Sequence, residues 1–192
     1  MSLARLIQFA SDLDTRLFLL LNLGFSHPLL DRIMPWITEK HHFVVPLVIL
    51  MIALLLWGGQ HARQTVLLGV ILVVLTDQTG NLLKLLVARV RPCHVVPATH
   101  LLVGCTGSGS FPSNHVLNLF GQSTLIATRW RPVAIPAFLA ASIVAFSRVY
   151  VGVHYPADVL GGALIGAASG WFVSHAASVD TPSETQSTRR EA

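Results

Sequence analysis

Residues 65–87, TVLLGVILVVLTDQTGNLLKLLV, decide the fold class. They form an apolar run long enough for a helix to cross a hydrocarbon core, which takes about 20 residues. The polar residues within the run are ordered. Asp77, Asn81 and Lys84 fall at i, i+4 and i+7, on one face of a helix. Polar side chains are costly in lipid, so that face turns toward other helices. The stretch therefore predicts a spanning helix with a polar stripe directed into a bundle.

Four further apolar stretches, 43–57, 116–128, 133–146 and 157–179, repeat the pattern, the middle two needing their flanks to reach spanning length. Around 116–128, His115, Asn118 and Gln122 form a second one-sided polar stripe. Asn81, Asn118 and Gln122 read as hydrogen-bonding glue between helices, and Gly162, Gly166 and Gly170 as a small-residue ridge for close packing. No segment alternates with period two as a barrel strand does. The expectation is an all-α, polytopic transmembrane helical bundle of five to six spans, with its active site at one membrane face.

The sixth span is open because Asp12, Asp14, Asp31 and Arg32 interrupt residues 1–40 and the apolar run 17–23 is too short. That segment is either interfacial or an imperfect first crossing. Asp12 and Asp14 also argue against a cleaved signal peptide. Residues 1–179 are thus expected to form one membrane-embedded domain. Residues 180–192, polar and rich in Ser and Thr, are expected to be a disordered tail.

Composition agrees with a membrane protein. Of 192 residues, 53% are hydrophobic and only 11% charged, against about 25% charged in soluble domains. Mean hydropathy is +0.63. The net charge of +4 lies between apolar runs, which fits membrane-end anchors and not a nucleic-acid footprint. Arg63, Arg129, Arg131, Arg189 and Arg190 fall at one face, and loops 88–114 and 147–156 at the other. Apart from the site cations described next, the second face keeps Lys40 and Arg89. The positive-inside rule then places the two loops outside the cytoplasm. There Cys93 and Cys105 either pair in a disulfide or remain two thiols.

Three clusters of chemistry-bearing residues converge on that outer face. Lys84, Arg89, Arg91 and Pro92 form the first, with Lys84 and Arg91 two turns apart if the helix persists to Pro92. Phe111, Pro112, Ser113, Asn114 and His115 form the second, where Ser113 or Asn114 caps a helix whose free N–H groups make an anion site. Ser147, Arg148, His154, Pro156 and Asp158 form the third. Pro156 and Asp158 suit a first helical turn, and Asp158 lies four residues after His154, near enough to accept its ring N–H. Three cations, a helix N-terminus, two histidines and a carboxylate suit a tetrahedral phosphate. One histidine attacks phosphorus and the other protonates the leaving oxygen, in an order the spacing leaves open. No acidic cluster suits magnesium, so metal-independent chemistry is expected, with no cofactor.

These clusters resemble the signatures of the type 2 phosphatidic acid phosphatase superfamily of membrane lipid phosphatases. Lys84 with Arg91-Pro92 matches the first signature in full, and Ser147-Arg148 with His154 and Asp158 matches the third in full. Pro112-Ser113-Asn114-His115 matches the second except that Asn114 replaces a glycine. The resemblance implies that His154 is the nucleophile, that Asp158 orients it, and that His115 is the general acid. It implies that Lys84, Arg91 and Arg148 grip the phosphoryl oxygens, joined by Ser113 and the backbone N–H of Asn114.

The opening, with Phe18, Asn22, Leu30, Asp31, Met34 and Ile37-Thr38-Glu39, is similar to that of small bacterial undecaprenyl pyrophosphate phosphatases. That likeness implies removal of the terminal phosphate of undecaprenyl pyrophosphate at the outer face of the inner membrane, recycling a carrier for peptidoglycan synthesis. The substrate partner is then a polyprenyl or glycerophospholipid phosphate. Within the family, a phosphatidylglycerophosphate or phosphatidic acid phosphatase and a lipid phosphotransferase are alternatives. From another class come a small membrane transporter and a non-catalytic phospholipid-binding protein. A transporter needs its charges near helix centres, whereas Arg91, His115, Arg148 and His154 fall at helix ends.

Overall fold

The structure, a computed structural model, describes residues 2–179. The expected disordered tail, with Arg189 and Arg190, lies outside the described residues. Among those described there are helices and no strands: α1 (Leu3–Leu23), α2 (Pro28–Thr38), α3 (His41–Trp57), α4 (Gly59–Val87), α5 (Pro92–Val95), α6 (Asn114–Arg129), α7 (Ala134–Tyr150) and α8 (Pro156–Val179). A single 3-10 turn, Arg131–Val133, precedes α7.

Each predicted apolar stretch is helical, but fewer helices qualify as independent spans than the five to six expected. Among the described residues, three segments are long and apolar enough to cross a membrane, Gly59–Val95, Arg131–Tyr150 and Pro156–Ala177. A fourth arises if α2 and α3, bent by 44° at their junction, count as one. The shortfall has a physical cause. α6 has only 16 residues and carries Asn114, His115, Asn118 and Gln122. It packs against α4, α7 and α8, so protein rather than lipid surrounds its polar stripe. α3 is the reverse case, apolar nearly all round, with none of its residues buried and α4 as its main neighbour.

Side-chain pairing at the centre of the bundle follows the polar stripes. Asn118 Nδ2 donates to Asp77 Oδ1 at 2.8 Å, Gln122 Nε2 to the Gly69 carbonyl at 2.8 Å, and Thr76 Oγ1 to Asn118 Oδ1. The predicted glycine ridge seats α8 on the backbone of α6. A Cβ on Gly166 would stand 2.1 Å from the Leu117 carbonyl oxygen, and one on Gly170 2.2 Å from that of Gly121. No larger residue fits at that separation. The close approach sets the N-terminus of α6 beside that of α8, where the Ser113 N–H donates to the Asp158 carbonyl at 3.1 Å.

α1 takes a different course. Asp14 Oδ1 accepts from the Ala157 N–H at the start of α8, while Asn22 Nδ2 donates to the Tyr150 carbonyl at the end of α7. These contacts lie eight residues apart, about 12 Å along the helix, yet both meet helix ends at the same face. This half of α1 therefore runs across the helix ends, not alongside the helices. Its earlier half, residues 3–13, is exposed.

Candidate active site

The helix ends with the apolar run and does not persist from Lys84 to Arg91. α4 stops at Val87, Ala88 takes a left-handed conformation at φ 48°, and Arg91 is extended at φ −71°, ψ 150° as the N-cap of α5. Pro92 accounts for this, because a following proline disfavours helical geometry at the residue before it. The two cations meet the site along separate paths. Lys84 Nζ donates to the Pro112 carbonyl, one residue before Ser113.

Arg91 is 6% exposed and clamps two loops. Its Nε donates to the Ser108 carbonyl at 2.9 Å, and its Nη1 to the Val153 carbonyl at 3.0 Å. Nη1 also lies 3.1 Å from His154 Nε2. Arginine only donates, so Nε2 is an acceptor and the ring proton sits on Nδ1. That proton faces Asp158 Oδ2 at 3.6 Å, an open contact of the kind that tightens when a substrate binds. Burial lowers His154 to about 4; Asp158 opposes the shift, while Arg148 and Arg91 add to it. The ring is thus neutral at neutral pH, with its lone pair on the side of the cations.

Arg148, in the last turn of α7, donates from Nη1 to Thr38 Oγ1 at 2.6 Å. Its Nε is buried and lacks a hydrogen-bond partner among the described residues, as do Ser113 Oγ, Asn114 Oδ1 and His154 Nδ1. Ser113 occupies the N-cap position of α6, but its hydroxyl makes no capping bond. His115, the second residue of α6, is partly buried, with the cations Arg148, Lys40 and Arg91 and the ring of His154 as neighbours. The structure thus gathers Lys84, Arg91, Ser113, Asn114, His115, Arg148, His154 and Asp158 at one end of the bundle.

Asn114, which stands where the family signature has glycine, begins α6 in ordinary helical geometry and turns its side chain toward α4. Its Nδ2 donates to Asn81 Oδ1 at 3.2 Å, and its Oδ1 lies where a Cβ on Gly80 would be, 2.5 Å away. A glycine in α4 therefore makes room for the asparagine. Cys93 and Cys105 are joined in a disulfide, with a Cα–Cα distance of 6.4 Å, closing the loop that follows Arg91.

Three residues to which the signatures give no role also reach the site. Thr38 holds Arg148. Arg89 reaches Asp158 Oδ1 at 2.7 Å with one arm and Asp14 Oδ2 at 2.5 Å with the other. The sequence carries a signal for Asp14 and Arg89, since ionisable residues in or beside apolar helices need partners. Their pairing spans 75 positions, and no local spacing encodes it.

Comparison with known proteins agrees with this geometry. A protein of Bacteroides thetaiotaomicron named lipid A 4'-phosphatase is 32% identical over 94% of this chain and 85% of its own. The undecaprenyl-diphosphatase BcrC of Bacillus subtilis is 32% identical over 74% of this chain and 73% of its own. The crystal structure of a transmembrane PAP2 type phosphatidylglycerolphosphate phosphatase from Bacillus subtilis shares the fold, with a TM-score of 0.70 at 24% identity over 91% of this chain and 88% of that one. The PAP2 superfamily pattern matches residues 64–181, from α4 to the end of α8, the stretch that carries all three clusters. The chain is therefore an integral membrane protein that belongs to the PAP2 superfamily.

Proposed function

We propose that this PAP2 lipid phosphatase removes the terminal phosphate of undecaprenyl pyrophosphate through a phosphohistidine intermediate, without a metal, at the outer face of a bacterial inner membrane. The observation that carries the reading is the pair of buried donors left unpaired beside the two histidines, Ser113 Oγ and Arg148 Nε. With the cations Lys84, Arg91 and Arg148 at the same end of the bundle, these donors suit a phosphoryl group whose oxygens supply the missing acceptors.

In this reading His154 Nε2 attacks the terminal phosphorus, and the bond to the bridging oxygen breaks with its electron pair on that oxygen. His115 gives its proton to the departing lipid phosphate. Arg91 leaves Nε2 for a phosphoryl oxygen, and with Lys84, Arg148, Ser113 and the Asn114 N–H it spreads the charge of the transition state. Asp158 receives the Nδ1–H of the resulting imidazolium. With undecaprenyl phosphate gone, His115 then takes a proton from water, the oxygen attacks phosphorus, and the P–N bond breaks with its electron pair on Nε2, releasing inorganic phosphate.

The prenyl substrate is supported by the opening segment, since Thr38 accepts from Arg148 and Asp31 accepts from Tyr150 Oη at 2.6 Å. The relative named undecaprenyl-diphosphatase adds weight. The outer face is supported by charge, because Arg63, Arg129 and Arg131 gather at the far end of the bundle. Residues 1–179 act as one membrane-embedded domain, with α1 at the interface. Lipid A is a second reading, favoured by the relative matched over 94% of the chain.

The test is phosphate release by detergent-purified protein in EDTA from undecaprenyl pyrophosphate, lipid A and phosphatidylglycerophosphate, beside the His154→Ala variant. Fastest release from the prenyl substrate, lost in the variant, supports the proposal. Preference for lipid A moves the substrate to the second reading. Transfer to an acceptor lipid makes the enzyme a phosphotransferase, and undiminished release by His154→Ala overturns the nucleophile.

A further inference from the structure

Asp158 is fully buried, and its two oxygens are spoken for on different sides. Oδ2 accepts from the Tyr155 N–H at 2.9 Å and faces His154. Oδ1 accepts from Arg89 Nη1 at 2.7 Å. Arg89 is itself fixed at both side chain and backbone. Nη2 donates to Asp14 Oδ2 at 2.5 Å, the charge lies 4.0 Å from the centre of the Tyr155 ring, and the Arg89 carbonyl accepts from the Ser110 N–H at 2.8 Å. Asp14 is 7% exposed and is held in turn by the Ala157 N–H at 2.9 Å. Phe18, one helical turn along α1, packs edge-on against Tyr155 at 5.5 Å and is fully buried.

A buried carboxylate needs a permanent counter-charge. The neutral ring of His154 does not supply one. Lys84 donates to a loop carbonyl, and Arg91 spends its donors on Ser108, Gly109, Val153 and His154. Arg89 is the cation bonded directly to Asp158, and a planar guanidinium joins two carboxylates in fixed geometry where an ammonium does not.

We propose that Arg89 and Asp14 are positioning residues of the phosphoryl-transfer reaction: Asp14, reaching from α1, fixes the Arg89 guanidinium, and Arg89 holds Asp158 ionised with Oδ2 aimed at His154. This rests on the reading of His154 as nucleophile and extends the site beyond the family signatures to the opening helix. α1 thereby becomes part of the machinery, and its seating on the bundle sets the alignment of the histidine.

The experiment measures phosphate release from undecaprenyl pyrophosphate, or from whichever lipid proves the substrate, by the full chain carrying Arg89→Gln, Arg89→Lys, Asp14→Asn or Asp158→Asn, and by the double variant Arg89→Gln/Asp158→Asn. Arg89→Gln is expected to lower kcat by about 10- to 100-fold, the range typical of groups that orient a reacting residue, with KM within about two-fold. Arg89→Lys recovers part of the loss, and Asp14→Asn lowers kcat less than Arg89→Gln. Because Arg89 acts through Asp158, adding Arg89→Gln to Asp158→Asn costs little more than Asp158→Asn alone. Retention of wild-type kcat by Arg89→Gln overturns the proposal, as does a full further loss in the double variant. Should Arg89→Gln fail to fold, the decision passes to Asp14→Asn, which keeps an acceptor for Ala157, and wild-type kcat there overturns it equally. Failure of the underlying reading shows separately, as turnover retained by His154→Ala.

Discussion

Nη1 of Arg91 lies 3.1 Å from Nε2 of His154, so a cation occupies the ring's lone pair. That contact fixes the tautomer and, in the proposed mechanism, marks where a phosphoryl oxygen is received. Arg91→Lys loses the forked clamp on Ser108 and Val153, because one ammonium does not satisfy both loops. Release of phosphate is expected to fall by about 10²- to 10³-fold, the scale set by losing one donor to a transition state. Steady-state kinetics on the preferred lipid checks this.

The pH dependence follows from His154. Burial lowers it to about 4, so the ring is neutral above that value and gains a proton below it. A protonated ring has no lone pair, and kcat/KM is therefore expected to fall as pH drops through about 4, not near the ordinary histidine value. Profiles of kcat/KM from pH 3 to 8 in detergent report this group in the free enzyme. An acid limb centred near 6.5 contradicts the prediction.

Asn114 and Gly80 are coupled by contact. Gly80→Ala places a methyl 2.5 Å from Asn114 Oδ1 and is expected to displace the start of α6, lowering both activity and thermal stability. Adding Asn114→Gly removes the clash and restores most of the loss. The double variant is thus less impaired than the sum of the singles, a coupling of about 0.5–3 kcal/mol between residues in contact. Thermal unfolding of all three variants measures it.

Gly166 sits where α8 meets the backbone of α6. Gly166→Leu forces the helices apart, and overpacking of this kind costs about 1–3 kcal/mol or more. Activity is expected to fall along with melting temperature, because the same contact sets Ser113 beside Asp158. A variant with lower Tm and intact turnover contradicts that link.

The Cys93–Cys105 disulfide closes a loop of 12 positions beginning two residues after Arg91. Replacing both cysteines by serine is expected to lower stability by up to about 3 kcal/mol, the chain-entropy value for loops of this size. It is also expected to raise KM, since Cys105 lies just before Ser108 and Gly109, whose carbonyls accept from Arg91. Unfolding scans with and without reductant test the first effect, and kinetics the second.

The sequence by itself determined the helical membrane class, the positions of five of the long helices, the polar stripes and the glycine ridge. These are periodic features, in which side chains three or four positions apart share a face whatever the surrounding fold. It also determined the three clusters of the site, because Lys84 to Arg91, Pro112 to His115 and Ser147 to Asp158 are each short enough for local spacing to carry meaning. Tertiary structure decided what depends on separations no period encodes. Asp14 of α1 and Arg89 lie 75 positions apart, and Thr38 and Arg148 lie 110 apart. The path of Arg91 depends on a left-handed Ala88 and on Pro92, which set the course of the chain after the apolar run ends. The accommodation of Asn114 rests on a glycine in another helix. In each case the partner is chosen by packing in three dimensions, where burial makes an unpaired charge or an overlapping atom too costly to leave.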